Sequence, residues 1–240
     1  MKKFLVVLGL FCIGLQAGAS VTYFELEPDS EPVSYKHFWE RNGIYEQKIL
    51  DVGDKIINAN KLDKRVTLTL VRNIRTMNAS ANPTLKNVNI YTGILPYCDN
   101  DDELAYVIGH ETAHCLDFYD GFMKWAFVMT FNGKAYEYKA DLIGIDLMVK
   151  AGYNPLAAIC AANKILDESY WDNFFFWVHP KGSKRTLAMY KYIYVKYPWA
   201  FDTDMVHNVN YENFVNYSQK EINEFKQEKK IRNLKQNENL

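Results

Sequence analysis

Two histidines and one glutamate form an H-E-x-x-H pattern at His110, Glu111 and His114. The segment 100–103, Asn-Asp-Asp-Glu, has the spacing of a capping box, which predicts a helix over about residues 101 to 119. Residues four apart lie on one face of a helix, so both imidazoles can bind one zinc ion at about 2.0–2.1 Å. Glu111 lies off that line and is free to act as a general base. The pattern therefore predicts a zinc site with a catalytic glutamate.

The predicted helix is buried in the molecule. Glu111 and His114 fall inside its apolar arc, and His110 lies at the edge of that arc. Polar groups on a buried face destabilise a protein unless they are satisfied, and a shared metal ion satisfies all three. A pair of hydrogen-bonded core histidines is the alternative. The arc consists of Leu104, Val107, Ile108, Cys115 and Phe118, and a face of small residues for close packing consists of Ala105, Gly109 and Ala113.

A further pair of carboxylates follows on the next long predicted helix, over residues 135–150. Glu137 and Asp141 are four residues apart and share one face. Glu137 completes a His, His, Glu ligand set with an open fourth position for water. Asp141 then accepts a hydrogen bond from the outer nitrogen of a ligand histidine and fixes its tautomer. For an isolated pair of this kind, a solvated helix face is the alternative.

The order of the remaining patterns predicts one α+β domain, mostly helical, with a small sheet. A β-branched alternation predicts strands over 66–71 and 88–92, and the polar segment 78–83 predicts a turn or an edge strand. Residues 218–240 form a charged tail that reads as solvated, so the predicted domain covers residues 20–217. Further helices are predicted over 35–59, 155–168 and 184–197.

Composition limits the classes of function. A chain of 240 residues, 48% of them apolar, can bury one sizeable core, so a single catalytic domain is expected. The formal net charge is -1, and the basic residues are scattered apart from the mixed tail. Nucleic acid is therefore not an expected partner.

The N-terminus has the pattern of a secretory signal peptide. Lys2 and Lys3 precede an apolar run over 4–15, and the small residues 17–19 precede Ser20. The run is shorter than the ~20 residues that a transmembrane helix needs. We therefore expect a signal peptide over 1–19 and a periplasmic or secreted protein. A membrane tether formed by an uncleaved N-terminal segment is the alternative.

Cys98, Cys115 and Cys160 remain after the predicted cleavage. An odd number in an oxidising compartment leaves at least one thiol unpaired or paired between chains. A Cys98–Cys115 disulfide is not expected, because Cys115 lies roughly 20 Å along the predicted helix. Buried small apolar residues are the preferred interpretation.

Five ordered pieces of the chain resemble one known family. They match the metallopeptidase family of the CAAX prenyl endopeptidases, the HtpX-type proteases and their soluble periplasmic relatives. The membrane-spanning helices of the first two branches are absent from the pattern. The pieces are residues 78–81, 110–114, 137–141, 151–155 and 179–185.

The resemblance implies a gluzincin-like fold and further site residues. Asn78 and Ala79 belong to an edge strand that binds the substrate backbone, with an ordinary polar turn as the alternative. His179 lies across the cleft from Glu111 and stabilises the oxyanion or approaches the metal in a resting form. Arg185 steadies that loop or pairs with a site carboxylate, and a surface arginine is the alternative.

The expected function is a zinc-dependent endopeptidase that cleaves envelope or secreted polypeptides in protein quality control, with one Zn²⁺ per chain. A chaperone-like protein that holds polypeptides with little cleavage is one alternative. A latent site, with His179 or the charged tail at the fourth coordination position, is another. The aromatic run 174–177 is expected in the core, with a substrate pocket or a peripheral membrane or envelope-protein contact as alternatives.

Overall fold

The computed structural model describes residues 22–24, 36–62, 65–73, 75–119, 122–166 and 182–237. Side chains are described over 46–62, 65–73, 75–116, 135–166 and 183–232. The predicted signal peptide, His179 and the aromatic run 174–177 lie outside the described residues.

A four-stranded sheet forms the small β portion, in the order β1-β2-β4-β3. The strands β1, β2 and β4 run parallel, and β3 pairs antiparallel with β4 at one edge. The strand β1 was not predicted, because three residues carry too little alternation to be recognised. The strands are β1 (Thr22–Phe24), β2 (Thr67–Val71), β3 (Ala79–Asn82) and β4 (Asn87–Tyr91).

The alternation of residue types sorts the sheet into two faces. Leu68 and Leu70 on β2 are buried beside Val88 and Ile90 on β4. The opposite face carries polar residues, and Asn87 there accepts hydrogen bonds from the hydroxyls of two β2 threonines. The apolar face packs against α1 and α2, so the sheet is covered by helices on its Leu, Val and Ile side.

Seven α-helices make up most of the other residues that the structure describes. They are α1 (Lys36–Asn60), α2 (Asp101–Tyr119), α3 (Phe122–Lys150), α4 (Leu156–Ile165), α5 (Gly182–Lys196), α6 (Val209–Tyr217) and α7 (Gln219–Asn237). Short 3-10 helices cover Thr92–Tyr97, Pro198–Asp202 and Asp204–His207.

Three helices differ from the sequence prediction, and one of them, α6, was not predicted. The helix α3 begins at Phe122 and not near Ala135. The prediction missed these added turns because their sequence is almost continuously apolar and lacks helical periodicity. The charged tail forms α7, since Lys, Glu and Gln are good helix formers. Ile222 on α7 is buried in the core, so α7 packs against the domain through this side chain.

The helix α2 is central, as its apolar arc predicted. It packs against α1, α3, α4 and two strands of the sheet. Leu104 and Ile108 are fully buried on it, and Asn100 accepts a hydrogen bond from the N–H of Glu103 at 2.9 Å. This cap fixes where the helix begins, and therefore where its histidines lie.

None of the described helices combines the length and apolar character that crossing a bilayer requires. Cys98, Cys115 and Cys160 are free thiols. Cys115 and Cys160 are buried, as expected for small apolar residues.

Candidate metal centre

Three side chains of α2 and α3 converge on one point. The Nε2 atoms of His110 and His114 are 3.1 Å apart. Glu137 places Oε2 3.5 Å from His110 Nε2 and Oε1 3.4 Å from His114 Nε2. Ligand atoms at the corners of a zinc tetrahedron with bonds of about 2.0–2.1 Å are roughly 3.3 Å apart. The three residues can therefore hold a metal ion, and their donor types and separations fit zinc.

A close contact between α2 and α3 sets these distances. A Cβ atom on Gly109 would lie 2.7 Å from the carbonyl oxygen of Gly144. A Cβ atom on Gly144 would lie 2.8 Å from the backbone nitrogen of His110. The two backbones therefore touch where the site forms, which brings Glu137 within reach of both histidines. The face of small residues predicted this contact for Gly109 but did not identify its partner.

Asp141 lies behind the first histidine and is almost completely buried. His110 Nδ1 is 2.9 Å from Asp141 Oδ1, and Arg185 Nε donates to Asp141 Oδ2 at 2.8 Å. Arg185 also lies 3.2 Å from Glu137 Oε2. Burial opposes ionisation of Asp141, but the Arg185 guanidinium outweighs it and lowers the pKa of this carboxyl below its ordinary value. Asp141 is therefore a carboxylate that can accept from His110.

The two histidines have different electrostatic surroundings. Burial alone lowers the pKa of His110, but hydrogen bonds to Asp141 and Glu137 raise it to about 10. Burial lowers the pKa of His114 to about 3, and the neighbouring His110 adds to this effect. A metal ion requires both imidazoles in the neutral form, so its binding displaces the second proton that the carboxylates favour on His110.

His114 is positioned by a tyrosine rather than by a carboxylate. The ring centroid of Tyr136 lies 4.5 Å from that of His114, and the Tyr136 hydroxyl donates to the His114 carbonyl at 3.2 Å. Among the described side chains, none accepts a hydrogen bond from His114 Nδ1. The ring of His114 therefore packs against Tyr136, whereas the ring of His110 has its Nδ1 2.9 Å from a carboxylate oxygen of Asp141.

Glu111 lies between the ligands in sequence and faces the edge strand. Burial raises the pKa of Glu111, while the positive charge of His110 and the backbone N–H of Ala81 act to lower it. Ala81 belongs to β3, which packs against α2. A carboxylate whose pKa is raised binds a proton more readily than an ordinary one, which suits a general base beside a metal site.

The strand β3 occupies the predicted edge position. The carbonyl of Asn78, just before β3, accepts from the N–H of Tyr91 at 3.2 Å, so this part of Asn78 is used within the sheet. In an antiparallel pair the bonding direction alternates, so the backbone groups of Ala79 and Ala81 point away from β4. Among the described residues, the backbone of Ala79 therefore faces away from the sheet, whereas the carbonyl of Asn78 is used within it.

Residues 44–117 match the model of Peptidase family M48. The family resemblance is confirmed over this segment. The match contains β2 to β4 and the H-E-x-x-H pattern, ends before Glu137, and indicates metalloprotease activity. Comparison with curated proteins and with solved structures finds no match.

Sequence reasoning missed three residues that shape the site. Gly144 forms the helix contact, Tyr136 packs on His114, and Tyr106 donates to Asp141 Oδ1 at 2.8 Å. The position of Tyr106 was recognisable, because it precedes His110 by one helical turn. The predicted oxyanion residue His179 lies outside the described residues.

Proposed function

We propose that this protein is a zinc-dependent endopeptidase that cleaves extracytoplasmic polypeptides. The observation that carries the proposal is the fit of His110, His114 and Glu137 to three corners of a zinc tetrahedron. Bound zinc supplies a Lewis acid that polarises a carbonyl and lowers the pKa of water to about 7. The match to Peptidase family M48 supports the same reaction class.

The chain's own residues divide the remaining work. Glu111 takes a proton from the attacking water and returns it to the leaving amine, a role that its raised pKa suits. His110, His114 and Glu137 bind the metal, and Asp141 orients His110. Arg185 contacts both Glu137 and Asp141 and balances the negative charge that these carboxylates bring into the core.

The edge strand supports the proposed substrate class. Ala79 directs its backbone groups outward from β3, so an extended polypeptide can add as a further strand. Recognition through the main chain tolerates many side chains, which supports a role in quality control of unfolded envelope or secreted proteins. The signal-peptide pattern over residues 1–19 supports the extracytoplasmic location.

The decisive test replaces Glu111 by glutamine in the full chain. We expect Glu111→Gln to bind one zinc ion, because no ligand is lost, and to cleave unfolded casein at least about 100-fold more slowly. Zinc content and casein cleavage are measured on the same preparation.

Asp101→Asn is the matched control, because it makes the same acid-to-amide change at an exposed position of the same helix. It should retain zinc and casein cleavage. A Glu111→Gln protein that still digests casein contradicts the mechanism. Wild-type protein that binds casein without cleaving it, with or without a chelator, favours the chaperone-like alternative.

A further inference from the structure

The carboxylate of Asp141 is surrounded by donors from two neighbouring helices. Tyr106 on α2 donates to Oδ1 at 2.8 Å, and Arg185 on α5 donates to both oxygens. His110 Nδ1 lies 2.9 Å from the same Oδ1. Asp141 itself is on α3 and is 1% exposed. Its orientation is therefore fixed by contacts from both neighbouring helices.

The hydroxyl of Tyr106 is not needed to fill space. Tyr106 is buried, and a phenylalanine there would bury the same ring without placing a polar group in the core. The hydroxyl is instead used on a single acceptor, Asp141 Oδ1. Because Tyr106 and His110 lie one turn apart on α2, both approach this oxygen from the same helix.

The chemistry of these donors fixes the state of Asp141. Arginine can only donate hydrogen bonds, and the phenol of Tyr106 uses its proton on the carboxylate. Asp141 therefore acts as an acceptor, and its Oδ1 lies 2.9 Å from His110 Nδ1, within reach of a proton on that nitrogen. With its proton on Nδ1, His110 presents the lone pair of Nε2 to the metal.

We propose that Tyr106 is a positioning residue of the metal centre, acting through Asp141 to set the tautomer and ring orientation of His110. The proposal rests on the zinc site of the proposed function and extends it to a residue that touches neither metal nor substrate. It applies to the His110 side of the site, since His114 is oriented by Tyr136.

The test is the zinc affinity of Tyr106→Phe, measured in the full chain by competition with a chromogenic chelator. We expect a loss of about 10-fold, the lower end of the effect of removing partners of metal-binding histidines. Tyr192→Phe is the matched control, because Tyr192 on α5 also donates to a carboxylate of α3, that of Asp146, at 2.7 Å. It should show wild-type zinc affinity, while both variants lose a similar small amount of thermal stability without metal.

A second comparison tests the route through Asp141. In an Asp141→Ala background, where Arg185 still contacts Glu137, the added Tyr106→Phe change should leave zinc affinity unaltered. Equal zinc affinity of wild type and Tyr106→Phe, or an equal loss in both backgrounds, overturns the proposal. Zinc binding is scored separately from cleavage, so a protein that binds zinc but cuts no peptide refutes the proposed function alone. A wild-type chain without zinc affinity overturns both.

Discussion

Two clusters of buried charge lie on the same helix, α2, and they differ in how the charge is balanced. Near the N-terminus, the fully buried carboxylate of Glu103 contacts Lys164 Nζ at 2.5 Å. Asp99 adds a second carboxylate to Lys164 at 2.8 Å and donates its N–H to Glu103 at 2.8 Å. This first cluster, residues 99, 103 and 164, is closed by a cation that belongs to the chain.

The second cluster lies about two turns further along α2. Here the lone pairs of His110, His114 and Glu137 converge on one another, while Arg185 approaches from the outer side of Glu137. In the first cluster, Lys164 neutralises the carboxylates. In the second cluster, the ligand atoms are arranged to bind a cation that the chain does not supply. Buried charge alone therefore does not identify a functional site. The decisive feature is convergence of donors at metal-ligand separations.

The largest expected effect is that of zinc on stability. At a free concentration about 1,000-fold above its Kd, zinc should raise the free energy of unfolding by about 4 kcal/mol, because it binds the folded site. Urea unfolding with and without a chelator measures this. Magnesium is the control, since it prefers oxygen ligands and should produce no shift. If the free energy of unfolding does not respond to zinc, the second cluster does not bind an added cation and the contrast with the first cluster is wrong.

The next effect tests the first cluster. Lys164→Met leaves the Glu103 carboxylate buried without its cation and should lower the free energy of unfolding by about 3 kcal/mol. Zinc affinity should be unchanged, because Glu103 lies about 10 Å along α2 from His110. Urea unfolding and zinc titration of the same variant check both statements. A loss of zinc affinity would show that the clusters are coupled.

The pH dependence of Lys164→Met has a definite sign. Burial already raises the pKa of Glu103, with Lys164 opposing, so loss of Lys164 raises it further. At a pH between the ordinary and the raised pKa, Glu103 is protonated in the folded variant but ionised in the unfolded chain. The free energy of unfolding of the variant therefore increases as pH falls through the raised pKa. The deficit of the variant should therefore shrink at acidic pH.

The smallest effect concerns the helix contact beneath the second cluster. Gly109→Ala places a methyl group 2.7 Å from the Gly144 carbonyl oxygen, which cannot rotate away. We expect a loss of about 2 kcal/mol, with weaker zinc binding as α2 moves away from α3. Unfolding and zinc titration again give both quantities.

Gly152→Ala is the control for that change. Gly152 has φ +82° after α3, so alanine should cost about 1 kcal/mol without changing zinc affinity. If Gly109→Ala loses stability but binds zinc as the wild type does, the glycine contact does not set the ligand distances.

Much of the candidate site could be predicted because its spacing is local. The helical repeat alone places His110 and His114 on one face, and the same repeat relates Glu137 to Asp141. The capping residues before Glu103 predicted where α2 begins. The strands β2 and β4 were recognisable from their alternation, whereas the three residues of β1 and the apolar start of α3 carried no period to recognise.

The sequence by itself therefore determined which residues can serve as ligands and base, since these depend on residue type and on a fixed helical geometry. The tertiary structure decided what lies behind them. The contact of Gly109 with Gly144 and the meeting of Tyr106, Asp141 and Arg185 join residues of three helices that are distant in the sequence. Such contacts depend on how the helices cross and on which rotamers fit between them, and no local pattern encodes either.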